Sequence, residues 1–332
     1  MKVVAYFKLK EVRWVLADSD VAELQRRCPN VRVVSLEDET GLAAELADAD
    51  AFVGWHFPRE LFPVARRLRW VHSASAGIEA NLFPELVASA VILTNSAGLH
   101  SVSIPEHVVA LMLALARNLP AAWRQQQERR WDRFGIIAGS GGIRAVAGSN
   151  LAILGAGAIG RALVRKAAAL DMRVRVMRNR PDRAVAGAEA VVGPSALHEL
   201  LGWAHFVVLA VPLTAQTRQL IGSRELQAMR SDAYLVNIAR GEVVDEAALA
   251  DALHRGAIAG AGLDVFAAEP LPEDSPLWGV PNLIITPHVS GYAADYFAKV
   301  LALFGDNLER FAAGKPLRNV VDKQLGYADA ED

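Results

Sequence analysis

The chain is nearly devoid of cysteine. Cys28 is the only one in 332 residues, which excludes an intramolecular disulfide and a cysteine-built metal cluster. It also lacks an excess of charge of either sign: 35 basic side chains stand against 37 acidic ones, a net of −2. No electrostatic reason therefore exists to propose nucleic acid or an anionic membrane as a partner. No stretch approaches the ~20 consecutive apolar residues a membrane span needs. The first apolar run is broken by Lys8 and Lys10, so a secretory leader is not expected. Nor is there an internal repeat or a low-complexity tract. A soluble, cytoplasmic protein with no metal is the expectation.

What is present is a chain with 52% hydrophobic residues, enough for well-packed cores and too apolar for disorder. Its length exceeds one average core, so two domains are expected. Short β-rich runs at 3–7, 31–36, 51–55, 69–75 and 91–95 alternate with helical patterns at 20–27, 41–47, 59–67 and 79–87. Such alternation predicts a parallel sheet covered on both faces. A long helical pattern spans 103–130, with Ile104, Val108, Leu111, Leu115 and Leu119 on one face and Pro120 placed to kink or divide it. Gly139–Gly142 reads as a flexible turn. Further strands are expected at 205–211, 233–239, 259–266 and 283–286, with a helix capped by Asp245 and stopped by Gly256. A last helix is expected at 292–313, followed by a loose charged tail beyond Asp322.

The most informative stretch lies mid-chain. Asn150–Leu154 is an apolar run, Gly155-Ala156-Gly157-Ala158-Ile159-Gly160 follows, and a helical pattern and a second β-rich run complete the unit. A lone G-x-G-x-x-G means little; one that leaves a strand and opens a helix has the context its mechanism needs. Gly155 permits the tight turn, Gly157 lets backbone approach a pyrophosphate, and Gly160 lets the helix pack on the strand. The N–H groups at the helix start, around Ala158 and Ile159, face the phosphates. The bland alternative is a glycine-rich turn. The motif falls after a full α/β unit, and one more helix follows the second unit. This predicts an α/β fold of two Rossmann/flavodoxin-like lobes with doubly wound parallel sheets. Residues 99–290 form a dinucleotide-binding domain inserted into a discontinuous substrate domain, 1–98 plus 291–332. A cleft between two such lobes suits a small ligand.

Three residues after the glycine motif follow strand ends: Arg240, Glu269 and His288. Ligands of open parallel sheets bind at the carboxyl ends of strands, so all three are expected at one crevice. A guanidinium can hold a carboxylate bidentately. An imidazole exchanges protons near neutral pH, and a carboxylate beside it orients the ring and favours its protonated form. Each also has a plain reading: a solvated arginine, a Glu-Pro turn, a structural histidine. The other histidines, His100 and His107 among them, show no metal spacing and read as structural or exposed. The second strand of a dinucleotide unit that selects NAD ends in Asp or Glu, on the ribose hydroxyls. Here Arg178, Asn179 and Arg180 occupy that place. Two arginines suit a 2′-phosphate, which predicts NADP(H) in preference to NAD(H), with NAD(H) still possible. The aromatic residues Trp55, Phe57, Tyr292 and Tyr296, with His56, are candidates for a roomy substrate pocket or for plain core.

The chain resembles the D-isomer-specific 2-hydroxyacid dehydrogenases, of the glyoxylate/hydroxypyruvate reductase kind. The matching stretches are Gly155–Gly160, Ala210–Thr217, Val236–Gly241, Gly262–Pro270 and Pro281–His288, with Ser73–Ile78 matching a substrate-carboxylate loop. By position the resemblance implies His288 as acid/base, Glu269 as its partner, and Arg240 on the carboxylate of a small 2-oxo acid. Ser75, Ala76 and Gly77 would assist Arg240. Val211, Pro212, Thr217, Ile238, Ala239, Asp264 and Gly291 would line the cofactor site, Asp264 facing the nicotinamide carboxamide. It further implies a homodimer joined through the cofactor lobes. Formate dehydrogenases of the same family carry Gln where Glu269 stands, which argues against formate. A dinucleotide-sensing, corepressor-like binding protein and a phosphite dehydrogenase are the alternatives, the first disfavoured by the intact Arg240, Glu269 and His288.

Overall fold

The computed structural model describes residues 1–9, 12–139 and 142–327. The chain divides into two compact units, Met1–Leu99 with Ala293–Asp332, and His100–Tyr292.

In the first unit, β-branched runs become strands β1 (Lys2–Leu9), β2 (Val12–Trp14), β3 (Arg32–Leu36), β4 (Ala51–Gly54), β5 (Trp70–Ser73) and β6 (Ile92–Thr94). Helices α1 (Asp18–Arg27), α2 (Leu42–Leu46) and α3 (Pro84–Ala88) lie between them. β1 pairs in parallel with β3 on one side and β4 on the other, and the sheet continues through β5 to β6. This is the flavodoxin-like order, in which neighbours of the first strand run outward both ways. β2 folds back antiparallel on β1. Three residues next to charged positions are too short a run to announce it in sequence. The helix expected at 59–67 is a single 3-10 turn, Arg59–Leu61; Pro63 lacks the N–H needed to continue it. The one expected at 79–87 is a 3-10 turn, Glu79–Asn81, followed by α3, which begins on Pro84.

The second unit holds α4 (Ser103–Ala116), α5 (Leu119–Gln127), α6 (Arg133–Ile137), β7 (Asn150–Leu154), α7 (Ala158–Ala168), β8 (Arg173–Met177), β9 (Ala190–Val192), α8 (Leu197–Trp203), β10 (Phe206–Leu209), α9 (Ser223–Ala228), β11 (Tyr234–Asn237), α10 (Glu246–His254), β12 (Gly260–Leu263) and β13 (Leu283–Ile285). The expected helix 103–130 is divided: Asn118 adopts φ +51°, and Pro120 sits in the first turn of α5. Of the expected turn 139–142, residues 140 and 141 lie outside those described, as do residues 328–332 of the expected loose tail. Asp245 caps α10 by accepting from the Ala248 amide at 3.0 Å, and Gly256 follows the helix at φ +64°.

Among the described residues, the seven strands of this unit run parallel in the order β13-β12-β11-β10-β7-β8-β9. The order reverses between β7 and β10, where a doubly wound sheet opens its binding crevice. Alternation along the strands supplies two cores. Leu151 and Ile153 of β7 face one layer with Leu111, Met112 and Leu163, while Ala152 and Leu154 face the other with Leu209, Leu249 and Leu253. β12 carries Gly260 and Gly262 where α4 crosses it. A Cβ at Gly262 would lie 3.2 Å from Leu111 Cδ1, and one at Gly260 3.3 Å from Leu115 Cδ2. Absent side chains therefore let α4 seat close to the sheet.

The last helix, α11 (Tyr296–Ala312), returns the chain to the first unit. α11 begins four residues later than the helical pattern does. Its Tyr296, Val300, Phe304 and Leu308 join Phe7 and Trp70 in the core, with Phe304 stacked on Trp70 at 5.0 Å. Phe57 is likewise core, packed edge-on to Phe52 and Phe62. Phe57 and Tyr296 are thus not pocket walls.

Candidate active site

The glycine loop is built as its spacing predicts. Gly155 adopts φ +113°, and a Cβ there would meet Ala210 O at 2.3 Å. One at Gly160 would meet Gly155 O at 2.1 Å. Gly157 differs: its backbone is extended, and a Cβ would touch nothing within 4 Å. A position kept bare with open space over it, at the start of an eleven-residue helix, is what a pyrophosphate requires. Ala158, Ile159 and Gly160 present amides with no intrahelical acceptor. The site thus fits a dinucleotide.

At the end of β8, Arg178 is half-buried while Asn179 and Arg180 are exposed, and none of the three is acidic. After β10, the loop at Val211 and Pro212 is closed by Thr217, whose hydroxyl donates to Pro212 O at 2.6 Å. After β11, Ile238 and Ala239 are buried. Asn237 locks the turn from below, accepting from the Ala239 amide at 3.0 Å and donating to Arg240 O at 2.9 Å. Gly241 follows because nothing else fits: a Cβ there would lie 1.9 Å from the Phe266 carbonyl carbon. That approach brings the Arg240 turn against the segment leading to Glu269.

Glu269 and His288 form the centre. Glu269 Oε1 accepts from the Phe266 amide at 2.9 Å, and Oε2 lies 2.7 Å from His288 Nδ1. A carboxylate accepts, so Nδ1 carries the proton and Nε2 is the nitrogen left for chemistry. Half of the His288 side chain is exposed. Burial pushes the Glu269 carboxyl up, but the His288 ring, the Phe266 amide and the Arg240 charge outweigh it. The carboxyl is held below its ordinary range. Asp264 is fully buried, and its carboxylate accepts from Thr286 Oγ1 at 2.6 Å and from the Val289 and Ser290 amides at 3.0 Å each. In the structure it braces the loop that bears His288.

The residues expected after successive strands are thus gathered in one unit: Arg240 after β11, Asp264 and Glu269 after β12, His288 after β13. Ser75, Ala76 and Gly77 lie after β5 in the first unit. There Asn95 Nδ2 donates to Ala76 O at 2.7 Å, and the Ser96 amide to Ser75 O at 3.0 Å.

The family model for the NAD binding domain of D-isomer specific 2-hydroxyacid dehydrogenases matches residues 109–290. The chain belongs to that family. It is 36% identical over 292 residues to a glyoxylate reductase of Thermococcus gammatolerans, covering 86% of each chain. It is 32% identical over 298 residues to a D-3-phosphoglycerate dehydrogenase of Methanocaldococcus jannaschii, covering 87% of this chain but 56% of that longer one. Among solved structures, a D-isomer specific 2-hydroxyacid dehydrogenase of Xanthobacter autotrophicus in complex with NADPH and MES superposes with a TM-score of 0.81 at 30% identity, covering 98% and 99% of the two chains. The chain is accordingly an NAD(P)-dependent oxidoreductase of the 2-hydroxyacid class. None of the described helices of this dehydrogenase is long and apolar enough to cross a membrane.

Sequence reasoning set aside His100 and His107 and passed over Ser103 and Thr286. All four hold the His288 loop: His107 Nε2 lies 3.0 Å from Thr286 Oγ1, while His100 Nδ1 and Ser103 Oγ lie 3.0 and 3.2 Å from Gly291 O. His100, Ser103 and His107 are spaced three and four residues apart, which marks a shared face at the start of a helix but not the loop that face meets.

Proposed function

We propose that this dehydrogenase reduces a small 2-oxo acid such as glyoxylate or hydroxypyruvate to the D-2-hydroxy acid, with NADPH preferred over NADH. The 2.7 Å contact between Glu269 Oε2 and His288 Nδ1 carries the reading. The nicotinamide, when bound, supplies the hydride. Arg240 holds the substrate carboxylate as a charge-assisted fork. His288 gives the proton on Nε2 to the developing alkoxide oxygen, and Glu269 stabilises the imidazolium before transfer. The products are the 2-hydroxy acid and the oxidised dinucleotide, and His288 regains its proton from water.

The coenzyme preference is supported by Arg178 and Arg180, which bring two positive charges and no carboxylate to the end of β8. The NADPH bound by the Xanthobacter relative is consistent with it. Homodimerisation through the dinucleotide-binding unit is supported by Trp123, Trp131 and Phe134, which are 63%, 88% and 77% exposed. These are three large apolar side chains left exposed within one short stretch of the chain, which a partner would cover. A cytoplasmic setting accords with Cys28, a free thiol.

The deciding experiment follows NADPH and NADH absorbance on mixing the protein with glyoxylate, hydroxypyruvate, pyruvate and phenylpyruvate at fixed salt. Turnover with one acid and a kcat/KM at least tenfold higher with NADPH is the expected result. Equal efficiency with both coenzymes removes the arginine argument. Tight coenzyme binding without turnover of any acid favours a dinucleotide sensor instead.

A further inference from the structure

His288 stands at φ +53°, a backbone conformation that L side chains rarely adopt. A histidine keeps such a conformation only where its surroundings over-determine it. Asp264 supplies one restraint: besides its carboxylate contacts, its carbonyl accepts from the His288 amide at 2.9 Å. The other comes from the start of α4 and grips the loop at both ends. His107 reaches Thr286, two residues before His288, and His100 and Ser103 reach Gly291, three residues after it.

The proton arrangement is determined. Thr286 gives its hydroxyl proton to Asp264 at 2.6 Å, so His107 must donate to Thr286 from Nε2. A carbonyl only accepts, so His100 carries its proton on Nδ1. The Ile104 amide donates to His100 O at 3.2 Å, making His100 continuous with the helix. Positions 100, 103 and 107 therefore share one face of it. The fit at the far end is close, since a Cβ at Gly291 would lie 3.0 Å from the His100 ring.

We propose that His100, Ser103 and His107 form a polar stripe on α4 that positions His288 for proton transfer without exchanging protons themselves. This rests on the reading of His288 as the acid/base. Burial, then the charges of His288 and Arg240, lower the titration of His100 from its ordinary range. His100 is thereby kept neutral, so it adds a donor but no competing charge beside the working pair. Removing the stripe frees the loop to relax, which slows the proton step far more than it weakens dinucleotide binding.

The test uses the full chain with His100→Phe, which keeps a ring and removes the donor, and His100→Asn, which returns an N–H close to the place of Nδ1. H100F is expected to lower kcat for 2-oxo acid reduction about tenfold, the scale of a misplaced catalytic group. The NADPH Kd should stay within about twofold of wild type, the pH profile should not move, and H100N should restore kcat to within about threefold. Wild-type kcat in H100F, failure of H100N to rescue, or a displaced pH profile would each overturn the proposal. Should H100F fold poorly, Ser103→Ala, which removes one of two donors to Gly291 O, is expected to slow kcat about threefold; no slowing counts against the stripe. Amide hydrogen exchange at Val289 and Ser290 reads the same effect without turnover. Exchange should be at least about tenfold faster in H100F than in wild type, and unchanged exchange overturns the positioning role. If wild type reduces no 2-oxo acid while exchange responds, the reading of the reaction fails and the loop clamp stands.

Discussion

The two oxygens of Glu269 are divided between different tasks. Oε1 takes the Phe266 amide at 2.9 Å, and Oε2 takes His288 Nδ1 at 2.7 Å. The first bond fixes the carboxylate to its own loop, so the second fixes the imidazole to a rigid point. This division makes the roles of the two residues separable by mutation.

His288→Ala removes the proton donor and leaves the glycine loop intact. The expected result is a fall in kcat of about a hundredfold to ten-thousandfold, with the NADPH Kd unchanged. Glu269→Gln keeps an acceptor for Nδ1–H but loses the charge that stabilises the imidazolium, so a smaller loss of about tenfold or more is expected. Steady-state rates and a fluorescence titration of NADPH check both. A Glu269→Gln rate equal to wild type would leave the carboxylate a merely structural part.

Arg240→Lys keeps the charge and loses the fork. The expected outcome is a KM for the 2-oxo acid raised about tenfold to a hundredfold, from the loss of a bidentate charge-assisted pair worth about 1.5–3 kcal/mol. Substrate saturation curves at fixed NADPH measure it. A KM within twofold of wild type would move the carboxylate clamp elsewhere.

The three motif glycines fail in different ways when replaced by alanine. At Gly155 and Gly160 a Cβ meets backbone at 2.3 and 2.1 Å, so a loss of stability of about 1–3 kcal/mol is expected. At Gly157 a Cβ meets nothing within 4 Å, so the melting temperature should hold while coenzyme affinity drops. Thermal melts with and without NADPH separate the cases. Retention of full NADPH affinity in Gly157→Ala would mean that the pyrophosphate does not lie there.

His72 predicts an acid weakness in the first unit. It is fully buried, hydrogen-bonded to Thr94 Oγ1 at 2.8 Å, and burial pushes it down to about 3. The unfolded chain takes up a proton below its ordinary 6.5, while the native chain refuses it until near 3. Stability is therefore full above pH 6.5 and falls as pH drops towards 3, by about 1.4 kcal/mol per pH unit at its steepest. Urea unfolding at a series of pH values measures the slope. His72→Asn, which does not titrate, should flatten it; an unaltered slope would assign the acid sensitivity to other groups.

The placement of Arg240, Glu269 and His288 in one unit was legible because each follows a strand, and strand ends in a parallel sheet share an edge. The glycine loop was legible because its spacing reflects steric limits that the structure repeats atom by atom. His100 and His107 were not legible. Their partners, Gly291 and Thr286, lie 191 and 179 residues away, and no local pattern encodes contacts across that separation. The helices expected near 59–67 and 79–87 are shortened for a local reason: Pro63 and Pro84 each lack the N–H that a continuous helix needs. The aromatic residues after β4 left two readings open because an apolar ring serves a core as well as a pocket, and Phe57 took the core.

The first unit is assembled from both ends of the chain. Tyr296, Val300, Phe304 and Leu308 complete a core begun by Val3, Ala5 and Phe7, and the Val321 amide donates to Leu93 O at 2.8 Å. A nascent chain emerging from the ribosome has therefore made every strand of the dinucleotide-binding unit before that missing helix exists. The second unit can close its core early, while the first must wait with Trp70 and its neighbours uncovered, a long-range closure that slows folding. The interval between those two events is when the apolar face of the first unit stands most exposed.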